Sequence, residues 1–157
     1  MSKIQMTLED TTDAMVASQL LAPMVLGLQA LAVNGKQAHW NVRGENFVAI
    51  HQLFDTIVAN AQTSADQAAE RIVALGLPVD ARVDMVAAKT STRVDAGFSQ
   101  WDDSVRALIA DIDVVIGDTR AAIDGLDGVD LPSQDVAIAV SQTLEKDRWL
   151  LFAHVAE

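Results

Sequence analysis

The chain has no cysteine, only three prolines, and a single basic residue, Lys3, among its first 35 positions. Without cysteine there is no disulfide scaffold, zinc–thiolate site, iron–sulfur cluster or thiol nucleophile. Val/Ile/Thr alternation is scarce, which argues against a β-rich fold. No uninterrupted apolar run reaches the ~18 residues of a membrane span, and no basic-then-apolar leader opens the chain. The expectation is a soluble, cytoplasmic protein without a membrane partner. A basic cluster is missing as well. The eleven Lys and Arg are scattered from Lys3 to Arg148, whereas nucleic-acid binders usually display a basic patch or tail.

What is present suits one domain spanning residues 1–157. Half of the residues are apolar, and a mean hydropathy of +0.21 is too high for a chain kept unfolded by charge. The 22 acidic and 11 basic residues give a formal net charge of −11. Seven acids and one base lie between Asp111 and Asp135, a net −6 over 25 residues. This segment is either a solvated face or an electrostatic path for cations.

The hydrophobic pattern is helical nearly throughout. Thr11, Thr12 and Asp13 offer an N-cap before Ala14. Leu20, Leu21, Met24, Leu28, Leu31 and Ala32 then recur at helical spacing. Pro23 should kink this helix or mark its first turn, and Asn34-Gly35 reads as a stop signal. Residues 41–46 read as a turn around Gly44. A second helix is expected from about Phe47 to Leu75, closed by Gly76 and Pro78. A connection over 79–96 carries a possible short helix, Asp84 to Lys89. A third long helix is expected from about Gly97 to Ile123, striped by Trp101, Val105, Leu108, Ile112 and Val115. Pro132 suits the first turn of a fourth, ending near His154. Four long helices with two short turns and one long connection fit an all-α bundle with one crossover at its end.

Ligand-type residues are concentrated on the second helix. At 100° per residue, His51, Asp55, Asp66 and Glu70 fall at about 0°, 40°, 60° and 100°, one stripe of the helix. Asp55 and Asp66 are nonetheless about 16 Å apart along the axis. One metal ion, with ligand bonds near 2 Å, cannot be held by both pairs of a single helix. The pairs meet if a second copy runs antiparallel about a two-fold axis near Asn60 or Ala61, which creates two equivalent sites per dimer. Ala59, Gln62 and Thr63 lie between the pairs, and none is bulky. Imidazole plus carboxylates without thiolate suits iron, manganese or zinc. Open positions on iron(II) suit reaction with peroxide or dioxygen. Zinc or manganese in the same ligands could instead activate water, so metal-dependent hydrolysis stays open.

The run Lys36-Gln-Ala-His39-Trp40-Asn-Val-Arg-Gly44, with Asn46-Phe47, His51 and Asp55, resembles the Dps family of mini-ferritins. So do Asp66, Glu70 and Arg71-Ile-Val-Ala-Leu-Gly76, and Leu144-Glu-Lys-Asp-Arg-Trp149-Leu-Leu near the C-terminus. The resemblance implies a ferritin-like four-helix bundle with a long crossover carrying a short helix, assembled as a hollow homo-dodecamer. It implies ferroxidase centres at dimer interfaces, each with two iron positions. His39, His51 and Asp55 would come from one subunit, and Asp66 and Glu70 from its partner. His39, Asp66 and Glu70 would hold the tighter iron, with His51 and Asp55 helping hold a second iron or a water. The family oxidises iron(II), preferentially with hydrogen peroxide, and stores ferric mineral in its cavity.

The resemblance also carries the first helix through Asn34-Gly35 to His39. Lys36 could anchor a hydrogen bond behind the ligands. Trp40 reads most simply as a packing residue, and the family offers a second reading as a trap for stray oxidising equivalents. Asp135, placed in the first turn of the last helix, matches acids lining a three-fold pore. Asp130 would be an outer member, with Asp124 and Asp127 weaker candidates. Family members that bind DNA usually carry a basic tail. Here there is none, and twelve copies at −11 give −132, the wrong sign for counterion release from phosphates. DNA binding is therefore expected to be absent, although a DNA-protecting nucleoid protein remains the alternative.

Overall fold

A computed structural model describes residues 8–156. The chain runs α1 (Leu8–Asn41), β1 (Val42–Arg43), α2 (Phe47–Ala74), α3 (Val83–Lys89), β2 (Ser99–Gln100), α4 (Trp101–Leu126) and α5 (Leu131–Val155). α1 packs on α2 and α4, and α5 packs on α4 and α2, so the four long helices close into one bundle. Each gives its apolar stripe to a single core. Leu21, Met24 and Leu28 of α1, Ile50, Phe54 and Ile57 of α2, Leu108 and Ile112 of α4, and Leu144 and Leu151 of α5 are at most 1% exposed. Burying a side chain of this kind stabilises the fold by roughly 1.5–3 kcal/mol.

α1 is longer than local signals predict. Thr11, Thr12 and Asp13 lie inside it and do not cap it, and Pro23 also lies within the helix, well past its first turn. The Asn34-Gly35 stop is overridden by packing. A Cβ on Gly35 would sit 3.0 Å from Val58 Cγ2, so this glycine lets α1 and α2 approach closely. A mid-helix glycine costs only about 1 kcal/mol relative to alanine. By length and composition α1 could also cross a bilayer, contrary to the expectation from uninterrupted runs. Its apolar residues are taken up by the bundle core.

The long connection differs from expectation in its path. β1 pairs in parallel with β2, Val42 opposite Ser99 and Arg43 opposite Gln100. This pairing puts the start of α4 beside the start of α2. Residues 75–100 therefore return along the whole bundle, about 42 Å for the 28 residues of α2, and do not merely cross its end. α3 lies against α1 on the way. The third long helix starts four residues later than expected, at Trp101, because 99–100 is held extended in the ladder. α5 starts as expected. Asp130 is its N-cap and accepts a hydrogen bond from the Ser133 N–H at 3.1 Å, with Pro132 in the first turn.

Candidate metal centre

The turn between α1 and α2 brings the two histidines together. His39 sits in the last turn of α1 and His51 in the first two turns of α2. Their rings stack at 3.7 Å between centroids, 20° from parallel. His39 Nδ1 lies 2.7 Å from the His51 carbonyl oxygen, and His51 Nδ1 lies 2.8 Å from that of His39. A carbonyl only accepts, so each Nδ1 carries its proton and donates it. In the neutral imidazole Nε2 is then the nitrogen with the lone pair, the one a metal would take. The reciprocal bonds hold both rings before any metal arrives. Phe47 closes one side, tilted 32° with its ring centroid 5.0 Å from that of His51.

Asp55, one turn beyond His51, is exposed and forms an ion pair with Lys36. The hydrogen bond from Lys36 holds its carboxyl below the usual range, with further help from the Lys36 charge. Lys36 thus bonds directly to a predicted ligand. Trp40 is 64% exposed on the single chain, so any packing role for it lies outside its own core. It lines an open groove of about 530 Å³ between α1 and α2, together with Val33, Lys36, Asp55, Ala59 and Gln62.

Asp66 and Glu70 stand far along α2 from the histidines. Both are exposed, and neither makes a side-chain hydrogen bond or ion pair with the described residues. Between the two halves, Ala59, Gln62 and Thr63 face outward, whereas Ala61 is buried and Asn60 turns inward. Asn60 Nδ2 donates to both carboxylate oxygens of Asp147, at 2.9 and 3.1 Å. Burial pushes the Asp147 carboxyl up to about 6 despite that bond. Among the described residues, no group of three or more His, Asp or Glu within one chain is arranged to hold a metal.

The acid-rich segment does not form one face. Asp111 is buried and accepts from Thr92 Oγ1 at 2.5 Å and from the Arg93 N–H at 2.8 Å. Asp113 pairs with Arg148. Asp130 pairs with Arg71 Nη2 at 2.7 Å while capping α5. Burial works against its charge, but the bonds from Ser133 and Arg71 prevail and leave its carboxyl below the usual value. Asp124, Asp127 and Asp135 remain exposed. Asp135 lies beyond the first turn of α5, which contains no acid.

Nothing in the sequence pattern marks Phe47 as a partner of His51 or joins Arg43 to Phe98. The Arg43 guanidinium carbon lies 3.1 Å from the Phe98 ring centroid. Neither residue belongs to a helical stripe, and their contact spans 55 positions. No periodic signal could have disclosed it.

Comparison with known proteins first defines the class. A family model described as a ferritin-like domain matches residues 23–157. The chain is 38% identical over 124 residues to the DNA protection during starvation protein of Mycolicibacterium smegmatis, covering 76% of this chain and 66% of that protein, just under two thirds of its length. It is 36% identical over 129 residues to the Agrobacterium fabrum protein of the same name, covering 81% of this chain and 80% of the other. Among solved structures, Dps from Microbacterium arborescens in a high iron form superposes with a TM-score of 0.91 at 62% identity, over 92% of this chain and 95% of that one. Within the ferritin-like class, the chain belongs to the Dps family.

Proposed function

We propose that this chain oxidises iron(II) at centres shared by two copies and stores the ferric product inside a dodecameric cage. The observation that carries the reading is the division of the ligand-type residues. His39, His51 and Asp55 gather at one end of α2, Asp66 and Glu70 lie exposed at the other, and one described chain closes no metal site. A second copy with its α2 antiparallel joins the halves twice. The exposed stripe of Ala59, Gln62 and Thr63 presents no bulky side chain against that approach. The groove beside Trp40 gives the partner an apolar edge to cover.

Iron(II) is the substrate. Two imidazole Nε2 donors and three carboxylates suit iron(II), with zinc and manganese as competitors for the same donors. Each iron(II) gives up one electron. One hydrogen peroxide takes two electrons and two protons, and its O–O bond breaks to give two waters. Peroxide is the preferred oxidant in this reading, with dioxygen as the alternative. The reaction consumes both reagents of hydroxyl-radical formation. The high iron form of the Microbacterium protein supports storage. The names of the curated relatives fit protection of DNA, and the net charge of −11 favours protection by chemistry over protection by binding. Asp135, exposed near the start of α5, is the acid assigned to a three-fold pore. Asp130 would stand behind it, its charge largely matched by Arg71.

Complementation tests the shared centre. One variant carries Asp66→Ala with Glu70→Ala, and another carries His39→Ala with His51→Ala. Each homomer should be inactive. Mixed dimers, co-assembled from unfolded subunits, contain one intact and one empty site. Recovery of iron(II) oxidation in the mixture supports the reading, and absence of recovery rejects it.

A further inference from the structure

The eleven residues that join His39 to His51 are fastened from outside α1 and α2 by the end of the crossover. Gln37, two residues before His39, donates from Nε2 to the Ala96 carbonyl at 3.1 Å. Val42 and Arg43 form the parallel ladder with Ser99 and Gln100. The Arg43 guanidinium carbon lies over the exposed Phe98 ring. Gly44 has φ +114°, a backbone state that favours glycine. A Cβ there would sit 2.8 Å from Trp101 Cδ1 and 2.9 Å from Gln100 Oε1. Three residues on, Phe47 donates its N–H to the Gly44 carbonyl at 3.1 Å and packs against His51.

We propose that residues 96–101 are a positioning strap for the histidine pair. The strap fixes the turn, the turn fixes the separation of the His39 and His51 backbones, and the reciprocal ring-to-carbonyl bonds depend on that separation. The strap reaches no metal ligand directly. Its effect on iron chemistry rests on the reading of His39 and His51 as ligands. The strap leaves the far pair, Asp66 and Glu70, untouched.

Phe98 is the position to test, because its 65% exposure makes its replacement harmless to the core. Phe98→Ala removes the surface on which Arg43 lies, and Phe98→Tyr restores it. In the metal-free assembled protein, deuterium exchange at the imidazole C2 position is read by mass spectrometry at one pH. His154, exposed at the far end of α5, is the internal control. Phe98→Ala should speed exchange at His39 and His51 by roughly three-fold or more, as local opening becomes easier, and leave His154 unchanged. Thermal unfolding should stay at the wild-type midpoint, and Phe98→Tyr should return both histidines to wild-type exchange. Initial iron(II) oxidation by Phe98→Ala should slow by about 10-fold, since small misplacements of reacting groups are costly. Unchanged exchange at both histidines overturns the strap, whatever the oxidation rate. Faster exchange with undiminished oxidation upholds the strap and rejects the two histidines as ligands.

Discussion

The two ends of α2 carry the same kind of pair, four residues apart, and treat it in opposite ways. At the N-terminal end, His51 is bonded to His39, flanked by Phe47 and followed by Asp55, which Lys36 already holds. At the C-terminal end, Asp66 and Glu70 stand in solvent with no bond to the described residues, while their neighbour Arg71 is committed to Asp130 and Ser133. One end is organised by its own chain. The other leaves its donors exposed, and in the proposed reading a partner copy uses them. A carboxylate in water is inexpensive to keep exposed, whereas an imidazole must be held in one tautomer and one orientation to serve as a ligand.

The largest effect should come from emptying either end. His39→Ala and Glu70→Ala should each slow iron(II) oxidation by at least about 100-fold, since even residues behind metal ligands are worth 10- to 100-fold. Their stabilities should separate the ends. Glu70→Ala, at an exposed position, should unfold within about 0.5 kcal/mol of wild type, and His39→Ala should be clearly less stable. Equal destabilisation in denaturant titrations would break the contrast.

The midpoint of α2 gives the next effect. Asp147 is 2% exposed and its carboxyl is raised from 3.8 to about 6. As pH rises from about 4 to about 6, the unfolded chain loses this proton first, so the fold loses stability across that window. Above it the penalty levels off at about 3 kcal/mol. Asp147→Asn should flatten this part of the pH profile and make the protein more stable than wild type at pH 7.5. Unfolding at fixed protein concentration between pH 4 and 7.5 checks the slope. A profile identical to that of wild type would place the ionised Asp147 in a better-solvated setting than its burial indicates.

Asp130→Ala should cost about 1–2 kcal/mol through the lost N-cap and should leave iron chemistry at the far pair of α2 intact. Asp135→Asn should leave stability unchanged and slow iron uptake by up to about 10-fold at low ionic strength, with the difference shrinking as salt screens the proposed pore. Stopped-flow oxidation at several salt concentrations compares the two acids. Equal rates and equal salt dependence in wild type and Asp135→Asn would mean that iron arrives by another route. No effect at all is expected on plasmid mobility at ~0.15 M salt without divalent metal. A shift abolished by higher salt would show that the protein binds DNA electrostatically despite its net charge.

Most of the fold was legible because burial repeats along a helix. Val105, Leu108, Ile112 and Val115 form one stripe by their spacing and are buried together. The second helix was placed to within a residue at each end. Errors arose where a local signal competed with packing. The caps at Thr11–Asp13 and the stop at Gly35 are ordinary short-range cues, and the core contacts of α1 outweigh them. Trp40 reads as a packing residue, and its place at the open side of α1 leaves it lining the groove of the single chain. The acidic run reads as one charged face, but Asp111, Asp113 and Asp130 each find a partner on a different element.

The sequence by itself determined which side chains share a face, and therefore that His51, Asp55, Asp66 and Glu70 line one stripe too long for a single metal site. That much follows from helical pitch and bond length. Only the tertiary structure decided how the histidines are held, because the His39–His51 bonds need the tight turn and the turn is fastened by a strand more than fifty residues away. It also decided that Asn60 belongs to Asp147, 87 positions distant. Pairings at such separations leave no period in the chain. They exist because the bundle closes, and closure is a property of all four long helices at once.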